Sequence, residues 1–245
     1  MIKLQRGVKP SYLSNDKVNE LTNRFKANKK DTVWKHKDIH SVLLQSSSSK
    51  CAFCESQLQV SASYMEIEHF KLKDVYPDEV VEWENLLPSC KRCNTSKLIH
   101  DVAIEPIINP YDVDPKAHLS QSACRVYAKT PLGHSTKEVL NLNDTLILRP
   151  RFEVWNYVTD KIEEIHRDFL EKSKFTRHDR NKLSRLLVSC QSDNAFSAFA
   201  STALHETNEY LEVVKILREN NQWDEQMEIL HVNSLKLVLD KRKST

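Results

Sequence analysis

The sequence predicts an α+β chain in which a small metal-stapled module is embedded in a mainly α-helical protein. Two Cys-x-x-Cys pairs, Cys51–Cys54 and Cys90–Cys93, stand 35 residues apart, and four thiolates in two close pairs suit a tetrahedral structural zinc. Between them, residues 58–70 carry the alternating polarity of short strands. After residue 135, apolar residues recur at helical spacing. Only two glycines occur among 245 residues, which argues against a β-barrel or a glycine-loop nucleotide site.

Hydrophobic residues make up 40% and charged residues 29%, as in a soluble globular protein. No apolar run approaches the roughly 20 residues of a membrane span. The start, Met1 to Arg6, has no apolar stretch of the signal-peptide kind. The expected compartment is the reducing cytoplasm, where six cysteines favour metal binding or free thiols over disulfides. Cys124 and Cys190, outside the pairs, read as small buried residues. Net charge is only +2, but residues 1–41 carry ten Lys/Arg against four Asp/Glu, so the N-terminal arm is basic.

In chain order, residues 1–14 look extended, with Pro10 interrupting and Tyr12 and Leu13 as exposed apolar candidates for docking. Asn15-Asp16 caps a short helix bearing Val18, Leu21 and Phe25, broken at Asn28-Lys29-Lys30-Asp31. A second helix is expected over 33–45, with Trp34, Ile39, Val42 and Leu43 inward. A short strand follows over 58–64, then one over 66–70 with Glu68 and His69 on opposite faces. Residues 71–84 read as a polar connection, and residues 94–104 as a helix. Three prolines between 106 and 115 mark an irregular connector, and 119–133 a small hairpin. The helical remainder opens near Thr136. Its clearest stripe is Trp155, Val158, Ile162, Ile165 and Phe169, with Pro150 in the first turn. Further helices are expected over 179–190, 193–219 and 223–242. The 172–185 segment carries six Lys/Arg and one acid, a second candidate nucleic-acid or partner surface beside the plainer reading of a solvated helix face.

Inside the cysteine-bracketed loop stand Glu66, Glu68, His69 and Asn85, with Asn94 and Lys97 just beyond the second pair. None of these fits the closed four-cysteine set, so they point to a second, catalytic metal. These residues, with Leu86-Leu87-Pro88, resemble the HNH endonucleases and their ββα-metal fold. The resemblance implies that His69 is the general base, that Glu68 and Asn94 hold one Mg²⁺ or Mn²⁺, and that Asn85 locks the loop and orients the His69 ring. The chemistry agrees: phosphodiester cleavage needs a water deprotonated near neutral pH and charge neutralised at the phosphate, which histidine and a hard cation on oxygen ligands supply. Glu66, two residues from Glu68 on the same strand face, is an alternative ligand. Lys97 is a candidate phosphate contact, or a solvated lysine. Many relatives carry histidine where this chain has Asn94, a departure that favours a hard ion.

More narrowly, Trp34, Cys51-Ala-Phe-Cys54-Glu55, Glu68-His69-Phe70, Tyr76-Pro77, Trp83-x-Asn85-Leu86-Leu87, Asn109-Pro110-Tyr111 and Asp114-Pro115 resemble the HNH nuclease subunit of Septu-type bacterial anti-phage systems, a group that includes retron-associated proteins. The likeness covers about residues 1–145. It implies a nuclease effector held by an ABC-class ATPase, with a retron reverse transcriptase and its nucleic acid as further partners. The expected organisation is an arm with helices over 1–45, the HNH module over 46–110 and a helical region over 111–245. The expected substrate is DNA or RNA. The competing readings are a zinc-stapled adaptor that binds nucleic acid or the ATPase without cutting, and a self-splicing-element or restriction endonuclease. The latter usually add sequence-reading domains, of which none is visible here.

Overall fold

A computed structural model describes residues 1–60, 63–172 and 174–243. It divides the chain into two compact units: Lys3–Leu119 with Tyr127–Leu142 and Met1, and Ser120–Val126 with Asn143–Thr245 and Ile2. The boundaries expected at residues 45 and 110 are not boundaries of these units. The arm, the cysteine loop and the following residues to Leu119, with Tyr127–Leu142, form one body, and the arm is tied into the loop. The Arg6 guanidinium donates to the carbonyls of Trp83 at 2.8 Å and Leu86 at 3.0 Å, and the Trp83 indole donates to the Gly7 carbonyl at 2.9 Å. At Gly7 an added Cβ would lie 2.7 Å from a Val42 methyl, so a larger residue would have to displace that side chain.

The arm therefore differs from the exposed docking segment expected: Leu4 and Leu13 are buried. Helix α1 (Asn15–Ala27) is capped by Ser14 and buries Val18, Leu21 and Phe25. Helix α2 is Lys37–Ser46, shorter than expected, because Thr32 to His36 form turns and His36 supplies the N-cap. Trp34 thus lies ahead of the helix. The strand expected over 58–64 is reduced to isolated bridges, Lys50 with Gln57 and Val60 with Ser63; residues 61 and 62 lie outside the described residues. Strand β1 (Met65–His69) pairs antiparallel with β2 (Leu86–Cys90), setting His69 opposite Leu86 and Met65 opposite Cys90. Helix α3 (Lys91–Lys97) follows at once, with the Cys90 sulfur as its N-cap acceptor. It stops well short of residue 104, because Leu98 turns to φ 42°. The first unit ends with α4 (Pro131–Val139), which starts five residues before Thr136 because Thr130 caps it and Pro131 takes a first-turn position.

A hairpin, β3 (Leu119–Ser122) with β4 (Arg125–Ala128), appears where expected. The second unit is otherwise helical. Helix α5 (Thr145–Lys172) begins before Pro150, which stands inside it; the carbonyl of Asp144 accepts from Ile147 and Leu148, starting the helix earlier. The bond that Pro150 cannot make belongs to the carbonyl of exposed Leu146. Helix α6 is Arg177–Ser189. The stretch expected as one helix over 193–219 is two, α7 (Ser197–Glu206) and α8 (Asn208–Glu219). Thr207 divides them in extended conformation, its hydroxyl donating to the Leu204 carbonyl at 2.8 Å. Helix α9 (Glu225–Leu235) ends before 242, and the chain beyond it pairs with Gln121 instead. The α5 stripe of Val158, Ile162 and Ile165 packs into one cluster with Leu183, Leu187, Leu204, Tyr210 and Val213, and Cys190 is buried there. The basic 172–185 segment is partly engaged within the unit: Lys182 meets Glu164 at 2.7 Å and Asp168 at 3.1 Å, Lys172 meets Asp179 at 3.7 Å, and Arg180 meets Asp224 at 2.9 Å. No helix among the described residues is long and apolar enough to cross a membrane.

Candidate functional site

Cys51, Cys54, Cys90 and Cys93 converge, all buried, with their sulfurs within 4.8 Å of one another. A zinc with Zn–S bonds of about 2.3 Å holds tetrahedral sulfurs roughly 3.8 Å apart. The Cys54 and Cys90 sulfurs are 3.7 Å apart. The donor set and spacing therefore fit a structural zinc. Backbone geometry builds the site from both sides. The Ala52 amide donates to the Pro88 carbonyl at 2.9 Å, fastening the first knuckle to β2, and Cys90 ends that strand. The Arg92 guanidinium donates to the Cys93 sulfur at 3.4 Å and to the Leu140 carbonyl at 2.9 Å, supporting a ligand from behind. Burial pushes the Cys51 thiol well up, whereas hydrogen bonds from the neighbouring cysteines pull Cys54 well down. Four thiolates crowded into one dry pocket need a cation to ionise together.

A cleft of about 1050 Å³ has Glu66, Glu68, His69 and Asn94 among its lining residues. α3 packs against β1 here, bringing Asn94 onto the same strand as the two carboxylates. The Asn94 amide donates to Glu66 rather than to Glu68. Glu68 is buried and holds the Lys97 ammonium at 2.8 Å. Burial raises the Glu68 carboxyl, Lys97 opposes that rise, and Glu66 adds to it. Lys97 is not the phosphate contact or solvated lysine expected. Its side chain is 0% exposed and its ammonium also donates to the His69 carbonyl at 3.0 Å. A charge this deep serves as an internal counterion.

The His69 ring lies across the strand from Glu68, as alternation requires. Its Nε2 is 2.9 Å from the Val80 carbonyl, and Trp34 packs edge-on with ring centroids 4.7 Å apart. A carbonyl only accepts, so Nε2 carries the hydrogen and Nδ1 is left as the basic nitrogen. Burial pushes His69 down to about 4, so the ring is neutral at pH 7.

Asn85 bridges the loop between the two strands through three hydrogen bonds. Its carbonyl accepts from the Lys71 amide at 2.7 Å, and its amide donates to the Glu79 and Lys71 carbonyls at 2.9 and 3.1 Å. The His69 ring is oriented by Val80 and Trp34, not by Asn85 directly. Trp34 and the Val80 carbonyl are site features that local sequence patterns do not assign: one lies 35 residues before His69, and the other is a backbone atom. Among the described residues, no second group of three or more His, Cys, Asp or Glu is gathered as tightly as the cysteines.

No family model matches the chain. A Septu protein PtuB of Bacillus thuringiensis is 34% identical over 248 residues, covering 98% of this chain and 95% of that protein. A second Septu protein PtuB, from Bacillus mycoides, is 31% identical over 172 residues, covering 60% of this chain and 57% of its own length. The first match runs through both compact units, cysteine cluster and cleft included, and on that ground the chain belongs to the PtuB family of Septu proteins.

Proposed function

We propose that this protein is a metal-dependent HNH endonuclease, the nuclease effector of a Septu-type anti-phage defence system. One observation carries the reading. Glu66, Glu68, Asn94 and His69 all line a single cleft, α3 packs on the β1–β2 pair, and the same module carries a zinc-competent Cys₄ cluster. That hairpin-then-helix order is the arrangement a ββα-metal module requires.

Glu68 and Asn94, with Glu66 bonded to Asn94, form an all-oxygen donor set that suits Mg²⁺ or Mn²⁺. When bound, such an ion neutralises charge on the scissile phosphate and the leaving oxygen. His69, neutral and with its tautomer set by Val80, accepts the proton of the attacking water at Nδ1. Asn85 keeps the 71–79 loop closed behind it. Lys97 holds the Glu68 carboxylate and the strand end in place.

The proposed partner is an ABC-class ATPase. With the arm folded into the first unit, the docking surface falls to the second unit, which exposes Leu211, Ile229, Val232 and Leu235. Both matched proteins are Septu proteins, so the retron reverse transcriptase is not carried forward as a partner. The non-cutting adaptor keeps one observation in its favour, the ion pair that engages Glu68.

Incubation of the full chain with DNA and RNA, alone and with the ATPase encoded beside it, tests the reading. Cleavage is expected with Mg²⁺ or Mn²⁺. His69→Ala is expected to lower the rate by about 10²- to 10⁴-fold with zinc content unchanged, and Asn94→Ala to be partly rescued by added metal. Cleavage by His69→Ala at the wild-type rate would remove the HNH assignment.

A further inference from the structure

The lips of the cleft carry more apolar surface than a site for phosphates alone requires. Tyr64, Val75, Leu98 and Ile99 all line it, with relative exposures of 71%, 55%, 67% and 81%. Exposed single apolar residues are ordinary, but four lining one opening offer a surface on which an apolar ligand group can rest. Leu98 and Ile99 are presented by a costly backbone. Leu98 holds φ 42° and ψ −111°, a region that residues with a Cβ rarely enter. Strain of this kind persists where the surrounding structure enforces it, and it clusters at functional sites. The charges lining the mouth are of both signs: Asp74 is paired with Lys73 at 3.2 Å, and the acids Glu66 and Glu68 lie deeper. Lys35 and Lys37 are exposed on its rim.

Paired bases in a duplex turn their faces inward and present phosphates, sugars and groove edges. Apolar lips gain little from those. An unpaired strand instead offers base faces that stack on aromatic side chains and pack against apolar ones, while its phosphates follow nearby cations. We propose that the cleft takes an unpaired nucleic-acid strand, with bases lodged against Tyr64, Leu98 and Ile99 and phosphates led by Lys35 and Lys37 toward Asn94 and His69. This rests on the endonuclease reading and names the substrate class of that same site.

The test measures binding of the full chain to fluorescein-labelled oligothymidine, oligouridine and an equal-length duplex, without added Mg²⁺ or Mn²⁺ so that nothing is cut. Each single strand is expected to bind at least about 10-fold tighter than the duplex. Tyr64→Ala is expected to weaken single-strand binding by about 5- to 100-fold, the loss of one stacked base, and Ile99→Ser to weaken it by a smaller factor, while duplex affinity stays the same. Zinc content and thermal melting check that both variants fold. The double variant Lys35→Glu, Lys37→Glu is expected to weaken single-strand binding and flatten its salt dependence. The two single-strand arms separate DNA from RNA. Duplex affinity equal to or above that of both single strands, or wild-type binding by both lip variants, overturns the proposal. If the duplex is then cut in a His69-dependent reaction, the endonuclease reading stands without it. If no nucleic acid is bound or cut under any condition, both fail.

Discussion

In the first unit, residues far apart in sequence are joined by buried or partly buried polar groups. Arg6 reaches Trp83 and Leu86, Asn85 reaches Lys71 and Glu79, Lys97 reaches Glu68 and His69, and four cysteines meet at one point. In the second unit, helices close on one another through apolar faces, with Ile162, Leu183, Leu187, Leu204 and Val213 all 0% exposed. Directional bonds fix positions to a fraction of an ångström, whereas apolar contacts are tolerant of substitution and non-directional. Placing the candidate chemistry in the first kind of unit gives it geometry at the expense of robustness: losing one partner leaves another buried group unsatisfied.

This contrast is open to direct tests. The largest effect is expected from Cys90→Ser. A structural zinc supplies on the order of 10 kcal/mol to a small module, so metal analysis should find near-zero zinc. Hydrogen exchange should lose protection across 51–97 while α5 to α9 keep theirs. Equal loss in both units would show that the helices depend on the metal as well. Next comes Ile162→Ala in the second unit. Truncation of a fully buried isoleucine costs about 2–5 kcal/mol, seen as an earlier denaturant midpoint with zinc stoichiometry unchanged. A zinc loss accompanying it would dissolve the distinction between the units.

The smallest effect is expected from acid. Burial pushes His205 down to about 4, below its unfolded value. The unfolded chain therefore takes up the proton first. The stabilisation from a neutral His205 is complete above about pH 6.5 and is lost as pH falls toward 4. The ring is partly exposed, so the contribution is of order 1 kcal/mol or less after solvent screening. Denaturant titrations at pH 7 and pH 5 should show a smaller drop for His205→Phe than for the wild type. The same drop in both would assign the acid sensitivity elsewhere, the more deeply buried His69, also pushed down to about 4, being the first candidate.

What could be read from the sequence was what depends on near neighbours. The Cys-x-x-Cys spacing, the alternation that puts Glu68 and His69 on opposite faces and the stripe of α5 are local patterns, and each appears in the structure. The helix split at Thr207 escaped because a hydroxyl bonding to its own backbone leaves apolar periodicity intact. The role of Lys97 is not legible because a lysine in the last turn of a helix reads as solvated until the strand it meets is known. Trp34 was placed on a helix for its apolar character, yet its position ahead of α2 is what lets it face His69. The pairing of Asn94 with Glu66 rather than Glu68 depends on how α3 lies across β1, which no spacing in the sequence specifies.

The Lys97 ammonium also acts as a reader of strand alignment. Side chains alternate across a strand, so a slip of β1 by one residue against β2 would exchange the faces of Glu68 and His69. In the observed alignment the ammonium meets a carboxylate and, from the next residue, a main-chain carbonyl. In the slipped one it would face an imidazole and leave Glu68 turned toward the indole of Trp34. That mismatch strands a buried charge and penalises the wrong alignment far more than a leucine at position 97 would. A residue that need never touch substrate can in this way discriminate between a correctly assembled site and its nearest misfolded neighbour.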